Sequence, residues 1–298
     1  IADFRKDHPK SLKSLFRLYV LFLKDQDLIG GEVVAIDGTK FRGSNSKKNN
    51  FNAKKLERHL NYIEEKTTEY LNQLDQMDQS ENNATELSNI QEKLERLKKH
   101  QLKYEGFQEQ LKTSGEPQIS TTDPDARALL VQGQVVEIGY NQQASVDEKY
   151  KLVVATHTLN RNDRNALSQI ALETKNNLKL DKFTVLVDKG YHNGREIKKT
   201  QEANIRTIVA TPTLVNSNSH GTTADYMVSQ FIYQSETDTY LCPAGETLNT
   251  TGTWHKKTRE RDSYQFKKYR TPKCKDCLVR SLCTGRAVGG REIDRSEY

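Results

Sequence analysis

Apolar residues change period several times along the chain, and each change marks an element. Over residues 3–27, Leu12, Leu15, Phe16, Tyr19, Phe22 and Leu23 recur at steps of three and four behind Pro9, which predicts one amphipathic helix. The run Val33-Val34-Ala35-Ile36 then closes on Asp37-Gly38, predicting a buried strand that ends by presenting a carboxylate. Beyond a polar loop at Ser44–Asn50, Leu56, Leu60, Ile63, Thr67, Tyr70, Leu74 and Met77 alternate steps of four and three. Leu87, Ile90, Leu94, Leu97, Gln101 and Tyr104 resume that seam after the polar stretch Gln79–Thr85. Two heptad seams of matching length predict an antiparallel helical hairpin, closed by Gly115 and Pro117. A self-satisfied insertion explains such a hairpin more simply than a dimerisation or DNA-clamping arm.

From Gln134 the pattern is that of strands. Val135, Ile138, Tyr140 and Ala144 lead to Val146-Asp147, and a turn at Glu148-Lys149 leads to Leu152–Thr156, so a β-hairpin is predicted. Asp163 is placed to cap a helix carrying Leu167, Ile170, Ala171 and Leu178. Phe183–Val187 is a continuous apolar run, too short for a helix, that ends at Asp188. A helix over Arg195–Ala203 and a strand over Ile205–Ala210, stopped by Pro212, follow. Asp123, Asp125 and Arg127 read as a turn and helix cap with an internal ion pair. The loop-rich remainder, Thr213–Ser296, carries short strand patterns at Gln230–Tyr233, Thr239–Leu241 and Tyr264–Tyr269. The predicted fold class is α/β, a mixed sheet with helices on both faces, in which Asp37 and Asp188 at strand ends are placed to meet. Asp147 also ends a strand and is an alternative approach to the same site.

Composition explains the polarity and bounds the chemistry. The chain has 298 residues, 34% hydrophobic and 29% charged, with a mean hydropathy of −0.83; the hairpin and the C-terminal region account for that low value. Leu15–Leu23, the longest apolar stretch, is broken by Arg17 and falls far short of the roughly 20 residues a membrane span needs. No membrane partner is expected. Of four cysteines, three crowd into Cys274–Cys283, which suggests a metal knuckle in a reducing, cytoplasmic setting rather than a disulfide framework. With Cys242 they offer the four thiolates of a structural Zn²⁺ site. The Cys274-x2-Cys277 pair lacks a second close pair, however, and reduced, partly buried thiols are the competing reading. Net charge is +6, and residues 251–295 alone hold 13 Lys and Arg against 5 Asp and Glu, the footprint of a polyanion partner. Lys256, Lys257, Arg259, Arg261, Lys267, Lys268 and Arg270 interleave there with Trp254, Tyr264, Phe266 and Tyr269, a mixture suited to phosphate contact and base stacking if the aromatics do not merely pack strands. His157 and His192 lack a matched Ser or Cys nucleophile, so a hydrolytic triad has no support.

Ala35-Ile36-Asp37-Gly38-Thr39-Lys40, Thr122-Asp123-Pro124-Asp125-Ala126-Arg127, Gly139–Asp147, Asn162-Asp163-Arg164 and Asp188-Lys189-Gly190-Tyr191, in this order, resemble the DDE transposases of bacterial insertion sequences, specifically the insertion-sequence 1182 family. The resemblance runs over essentially the whole chain. It implies a ribonuclease-H-like core and a DNA strand-transferase whose Asp, Asp and Glu hold two Mg²⁺ (or Mn²⁺) ions, with Asp37 and Asp188 in the two Asp roles. It also implies double-stranded DNA, as element ends and target, as partner and substrate, a homo-oligomeric active complex and a nucleoid-associated bacterial setting. Lys189 and Tyr191 become candidates for phosphate contact beside Asp188. The family's third carboxylate lies on a later helix; Arg291–Tyr298 reads as the approach to that helix, and neither Glu292 nor Glu297 takes the role. On this reading the chain is a fragment lacking both ends. Residues 1–30 close an N-terminal helical region, 31–50 with 114–212 form the core, 51–113 the hairpin insertion, and 213–298 a basic Cys-containing insertion. The alternative function is a catalytically inactive DNA-binding regulator of transposition; a scaffold assembling through the hairpin is a third.

Overall fold

A computed structural model describes residues 2–77, 84–131, 135–210, 221–259 and 262–298. The boundary residues Pro212, Gln134 and Gln79 and the candidate Arg261 lie outside them. Residues 1–186 with 204–206 form one compact unit, and residues 187–203 with 207–298 a second. In chain order the elements are α1 (Ala2–Asp7), α2 (Pro9–Asp25), β1 (Val33–Arg42), β2 (Asn50–Asn52), α3 (Ala53–Met77), α4 (Ala84–Ser114), β3 (Gln118–Ser120), β4 (Arg127–Val131), β5 (Val135–Asp147), β6 (Val153–Leu159), α5 (Leu167–Leu178), β7 (Phe183–Val187), α6 (Gly194–Glu202), β8 (Ile205–Val209), β9 (Ile232–Gln234), β10 (Thr239–Leu241), β11 (Thr247–Thr250), β12 (His255–Arg259), β13 (Asp262–Arg270), α7 (Arg280–Cys283) and β14 (Ile293–Ser296). The protein is therefore mixed α/β. Its larger sheet runs β4-β5-β1-β7-β8, with β6 also paired to β5.

The predicted N-terminal helix is divided at His8, because Pro9 occupies the first turn of α2, where its missing N–H costs nothing. The packed face of α2 is Leu12, Phe16, Val20 and Leu23, four steps of one helical stripe against α5, while Leu15, Tyr19 and Phe22 are exposed. In the long antiparallel ladder of β1 with β5, Val34 and Ile36 are buried and face Asp147 and Ser145 in register. The strand does not stop at Asp37. Gly38–Arg42 continues the ladder opposite Gly139–Gln143, so Asp37 stands in mid-strand, opposite Ala144.

The hairpin forms as the seams predict. Leu56, Ile63 and Ile90 are buried and the other described seam positions half-buried, apart from Gln101, which is exposed. Its root is its best-anchored part: Phe51, Leu56, Leu111 and Ile119 make a buried cluster joined by Tyr104 and Phe107. Asn52 Oδ1 accepts the Lys55 N–H at 2.8 Å and caps α3, and β2 pairs with β3 across the base. Ser44–Asn50, predicted as loop, gives its last residue to this small sheet because Ser120 supplies both a backbone partner and, at 2.8 Å, a side-chain acceptor for the buried Asn50.

In the second unit, β12-β13-β11-β10-β9 form a second sheet, with β14 paired to β13. Phe231, Leu248, Tyr269 and Ile293 are its core. Within Arg291–Tyr298, Ile293–Ser296 forms β14, because Ile293 enters that core and β14 pairs with β13. Among the described residues no helix is long and apolar enough to cross a membrane.

Candidate functional site

The two strand-borne acids sit in different units, Asp37 in the first and Asp188 in the second. Asp37 is exposed, and its Oδ1 accepts the Gly38 N–H at 2.7 Å. Asp188 follows β7, is exposed, and caps the single turn Lys189–Tyr191 by accepting the Gly190 N–H at 2.8 Å. Among the described residues neither carboxylate is engaged in an ion pair. Each therefore keeps an oxygen free for a hard cation, the donor type that Mg²⁺ and Mn²⁺ take.

Asp147 is not available for that role. It is fully buried, and its carboxylate accepts the Gly31 N–H at 2.8 Å, the Lys149 N–H at 3.0 Å and the Gly30 N–H at 3.1 Å, which fixes the turn leading into β1. Nor does Asp163 cap α5. The helix N-cap is Ala166, and Asp163 turns back to the sheet, where Oδ1 accepts from Asn141 Nδ2 at 2.8 Å and Gln143 Nε2 at 3.0 Å while Oδ2 pairs with Lys40 Nζ at 3.3 Å. Three polar side chains on β1 and β5 outcompete the helix end for one carboxylate. This cluster lies on the Gly38 and Lys40 face of β1, the face opposite Asp37 by strand alternation. Sequence patterning missed it, although the alternation Asn141, Gln143, Ser145, Asp147, all fully buried, was the available sign.

Around Asp123 there is a turn but no helix cap. Tyr140 Oη donates to Asp123 at 2.6 Å, and burial and then this carboxylate push the Tyr140 hydroxyl well up. Arg127 begins β4 and pairs with Glu116 at 3.2 Å instead of with a neighbouring aspartate. His157 is consumed by Glu173 at 2.9 Å.

The basic candidates divide by exposure. Lys189, Lys256, Lys257 and Arg270 are exposed. Tyr191 is fully buried, which takes its ring out of reach of a phosphate as it stands. Lys267 pairs with Asp238 at 2.6 Å and lies over the Trp254 ring at 5.1 Å. Lys268 pairs with Glu292 at 3.0 Å, and Arg270 meets the same carboxylate at 3.4 Å. Hydrogen bonds from Lys267 and then Tyr269 hold the Asp238 carboxyl down at about 2. Tyr269 belongs to the core, so of the four interleaved aromatics it is structural, while Trp254 is 44% exposed. Arg259 lies on β12. Elsewhere in the second unit, Arg195 Nε donates to Tyr298 Oη at 3.0 Å, and Lys198 lies 5.8 Å from the same ring.

All four cysteines line one cavity of about 30 Å³ in the second unit, together with Phe231, Leu248, Arg280 and Arg291. They are free thiols. Burial pushes the Cys274 and Cys283 thiols up and the neighbouring cysteines add to it, while Arg291 opposes the rise at both. Arg291 is the residue that sequence reasoning missed. It is 2% exposed, and its Nε and Nη2 have no hydrogen-bond partner among the described residues. As the side chains stand, no three His, Cys, Asp or Glu among the described residues are grouped closely enough to hold a metal. Comparison with protein-family models, curated proteins and solved structures finds no match to this chain.

Proposed function

We propose that the protein is a DDE-type transposase of insertion-sequence origin, a metal-dependent DNA cleaving and joining enzyme built on a ribonuclease-H-like sheet. The observation that carries the reading is strand order. β1, β5 and β6 form an antiparallel meander, and β7 and β8 follow on the other side of β1, the arrangement of ribonuclease-H-like sheets. β1 carries Asp37, and Asp188 is the first residue after its neighbour β7. Both carboxylates are exposed and, among the described residues, engaged in no ion pair, which suits ligands of a divalent cation.

In this reading Asp37 and Asp188 hold the Mg²⁺ or Mn²⁺. The bound cation supplies Lewis acidity at the scissile phosphate and a water of lowered pKa. Asp188 is held by its own turn, in which the Gly190 N–H fixes one carboxylate oxygen. Lys189, exposed beside it, offsets phosphate charge. Exposed Lys256 and Lys257 add sequence-independent attraction to the DNA backbone.

The test uses the full chain and double-stranded DNA carrying the flanks of its own gene. With Mg²⁺ or Mn²⁺ the protein, expressed from its whole gene so that a third carboxylate can take part, is expected to nick and join this DNA. Asp37→Asn and Asp188→Asn should each lower that rate by roughly 100-fold or more, the scale of losing one charge-stabilising group, with DNA binding retained. Equal activity of either variant refutes the assignment of that residue. Binding without cleavage by the wild-type protein expressed from the whole gene refutes the enzymatic reading and supports the DNA-binding regulator.

A further inference from the structure

We propose that Cys242, Cys274, Cys277 and Cys283 form a tetrathiolate site for one structural Zn²⁺, with the buried Arg291 as its charge partner. The inference starts from a problem in the protein's own electrostatics. A guanidinium 2% exposed, with two nitrogens unpartnered, is a charge removed from water without compensation. Its nearest oxygen partner is weak, the Cys283 carbonyl at 3.5 Å from Nη1, and the Phe231 ring 5.4 Å away supplies only a quadrupole. Among the described residues, the one carboxylate lining the cavity, Glu246, is paired with Lys273 at 2.8 Å, and the other candidate counter-charge there is the sulfur of the four cysteines. Four neutral thiols leave the charge unbalanced. Four thiolates around one Zn²⁺ carry a net charge of −2, which gives the two orphaned N–H groups an anionic acceptor.

The backbone is arranged for thiolates. The Glu246 N–H donates to Cys242 Sγ at 3.3 Å across a tight turn in which the Gly245 N–H also bonds the Cys242 carbonyl at 2.9 Å. Gly245 holds φ at +82°, so that turn needs glycine. On the opposite side, a Cβ on Gly290 would lie 2.2 Å from Cys274 Cβ and 2.9 Å from its Sγ. Glycine there lets the segment before β14 close onto the cysteine. The cavity, about 30 Å³, has room for an ion. As they stand the sulfurs are not gathered into a coordination shell. Each Sγ moves on a single χ1 torsion between staggered wells, so metal uptake draws them inward by side-chain rotation.

The experiment is metal analysis of the intact protein, purified without chelator. The expected result is about one Zn²⁺ per chain, four thiols titrating only after the metal is stripped, and, on replacement by Co²⁺, the intense visible bands of tetrahedral thiolate coordination. Arg291→Met should weaken Zn²⁺ retention against a competing chelator by about 10–100-fold, the usual effect of removing an outer partner of a metal site, with Arg291→Lys between the two. Four thiols reacting freely with no metal bound, two disulfides in the purified chain, or octahedral cobalt spectra would each overturn the site. Unchanged retention in Arg291→Met would overturn the role of the arginine. None of these readouts involves DNA, so the outcome is independent of the transposase reading.

Discussion

Two glycines of the β1–β5 ladder show how single residues set the fold. At Gly139 an added Cβ would meet the Phe41 carbonyl oxygen at 1.9 Å and the Arg42 Cα at 3.0 Å, all backbone of the paired strand. At Gly38 it would meet Gln143 Nε2 at 2.1 Å and Asp163 Oδ1 at 2.6 Å, the ends of side chains. Backbone cannot yield without parting the ladder, whereas side-chain amides can swing away and forfeit their hydrogen bonds. Gly38→Ala should therefore cost about 1–3 kcal/mol, and Gly139→Ala clearly more, in urea denaturation of the purified variants. A Gly139→Ala midpoint at or above that of Gly38→Ala would contradict this ordering. The polar knot of Lys40, Asn141, Gln143 and Asp163 gives the Gly38 site its cost, and it was invisible to helix-capping logic. An Asp before an apolar helix reads as a cap until its long-range partners are known.

Among the elements, those specified locally were legible and those specified by a distant partner were not. Phe183–Val187 and Thr239–Leu241 fall where their apolar runs begin and end, and the heptad seams give the hairpin its buried faces. β1 continues for five residues beyond Asp37, Gly38–Arg42, because β5 continues to pair with it. β4 arises from a segment that reads as a turn and cap because the first half of β5 pairs with it, and β14 from one that reads as a helix approach because β13 does. The same distinction applies to the candidate groups: Asp37 and Asp188 are singled out by local motifs, but Arg291 is not, since its meaning is the company it keeps in a cavity. The hairpin offers a test. Its buried cluster, N-cap and β2–β3 pairing all lie at its root, so the distal half is held chiefly by helix-to-helix packing of its own. Replacing residues 67–101 by a short turn should leave the thermal midpoint within a few degrees, about 1 kcal/mol for a chain of this size. Phe51→Ala, at the root, should cost about 3–5 kcal/mol. Collapse of the shortened protein would mean that the distal arm supports the sheet.

At the scale of the whole molecule, the charge count overstates what is free to meet DNA. Residues 251–295 hold 13 basic side chains, yet Lys267 and Lys268 are half-buried and committed to Asp238 and Glu292, and exposed Arg270 shares Glu292. Lys256 and Lys257 on β12 are exposed. Counterion release counts only cations that reach phosphate, with each contact contributing about 0.9 to the slope of log affinity against log salt. For binding to double-stranded DNA, the double variant Lys256→Gln/Lys257→Gln should lower that slope by about 2. Lys267→Gln/Lys268→Gln should leave the slope nearly unchanged and lower the thermal midpoint instead, because it removes the lysine partner from each of two carboxylates. Salt titrations of affinity with melting curves on both proteins separate the cases. If the second pair moves the slope and the first does not, the ion pairs of β13 open on binding, and the phosphate-facing surface is β13 rather than β12.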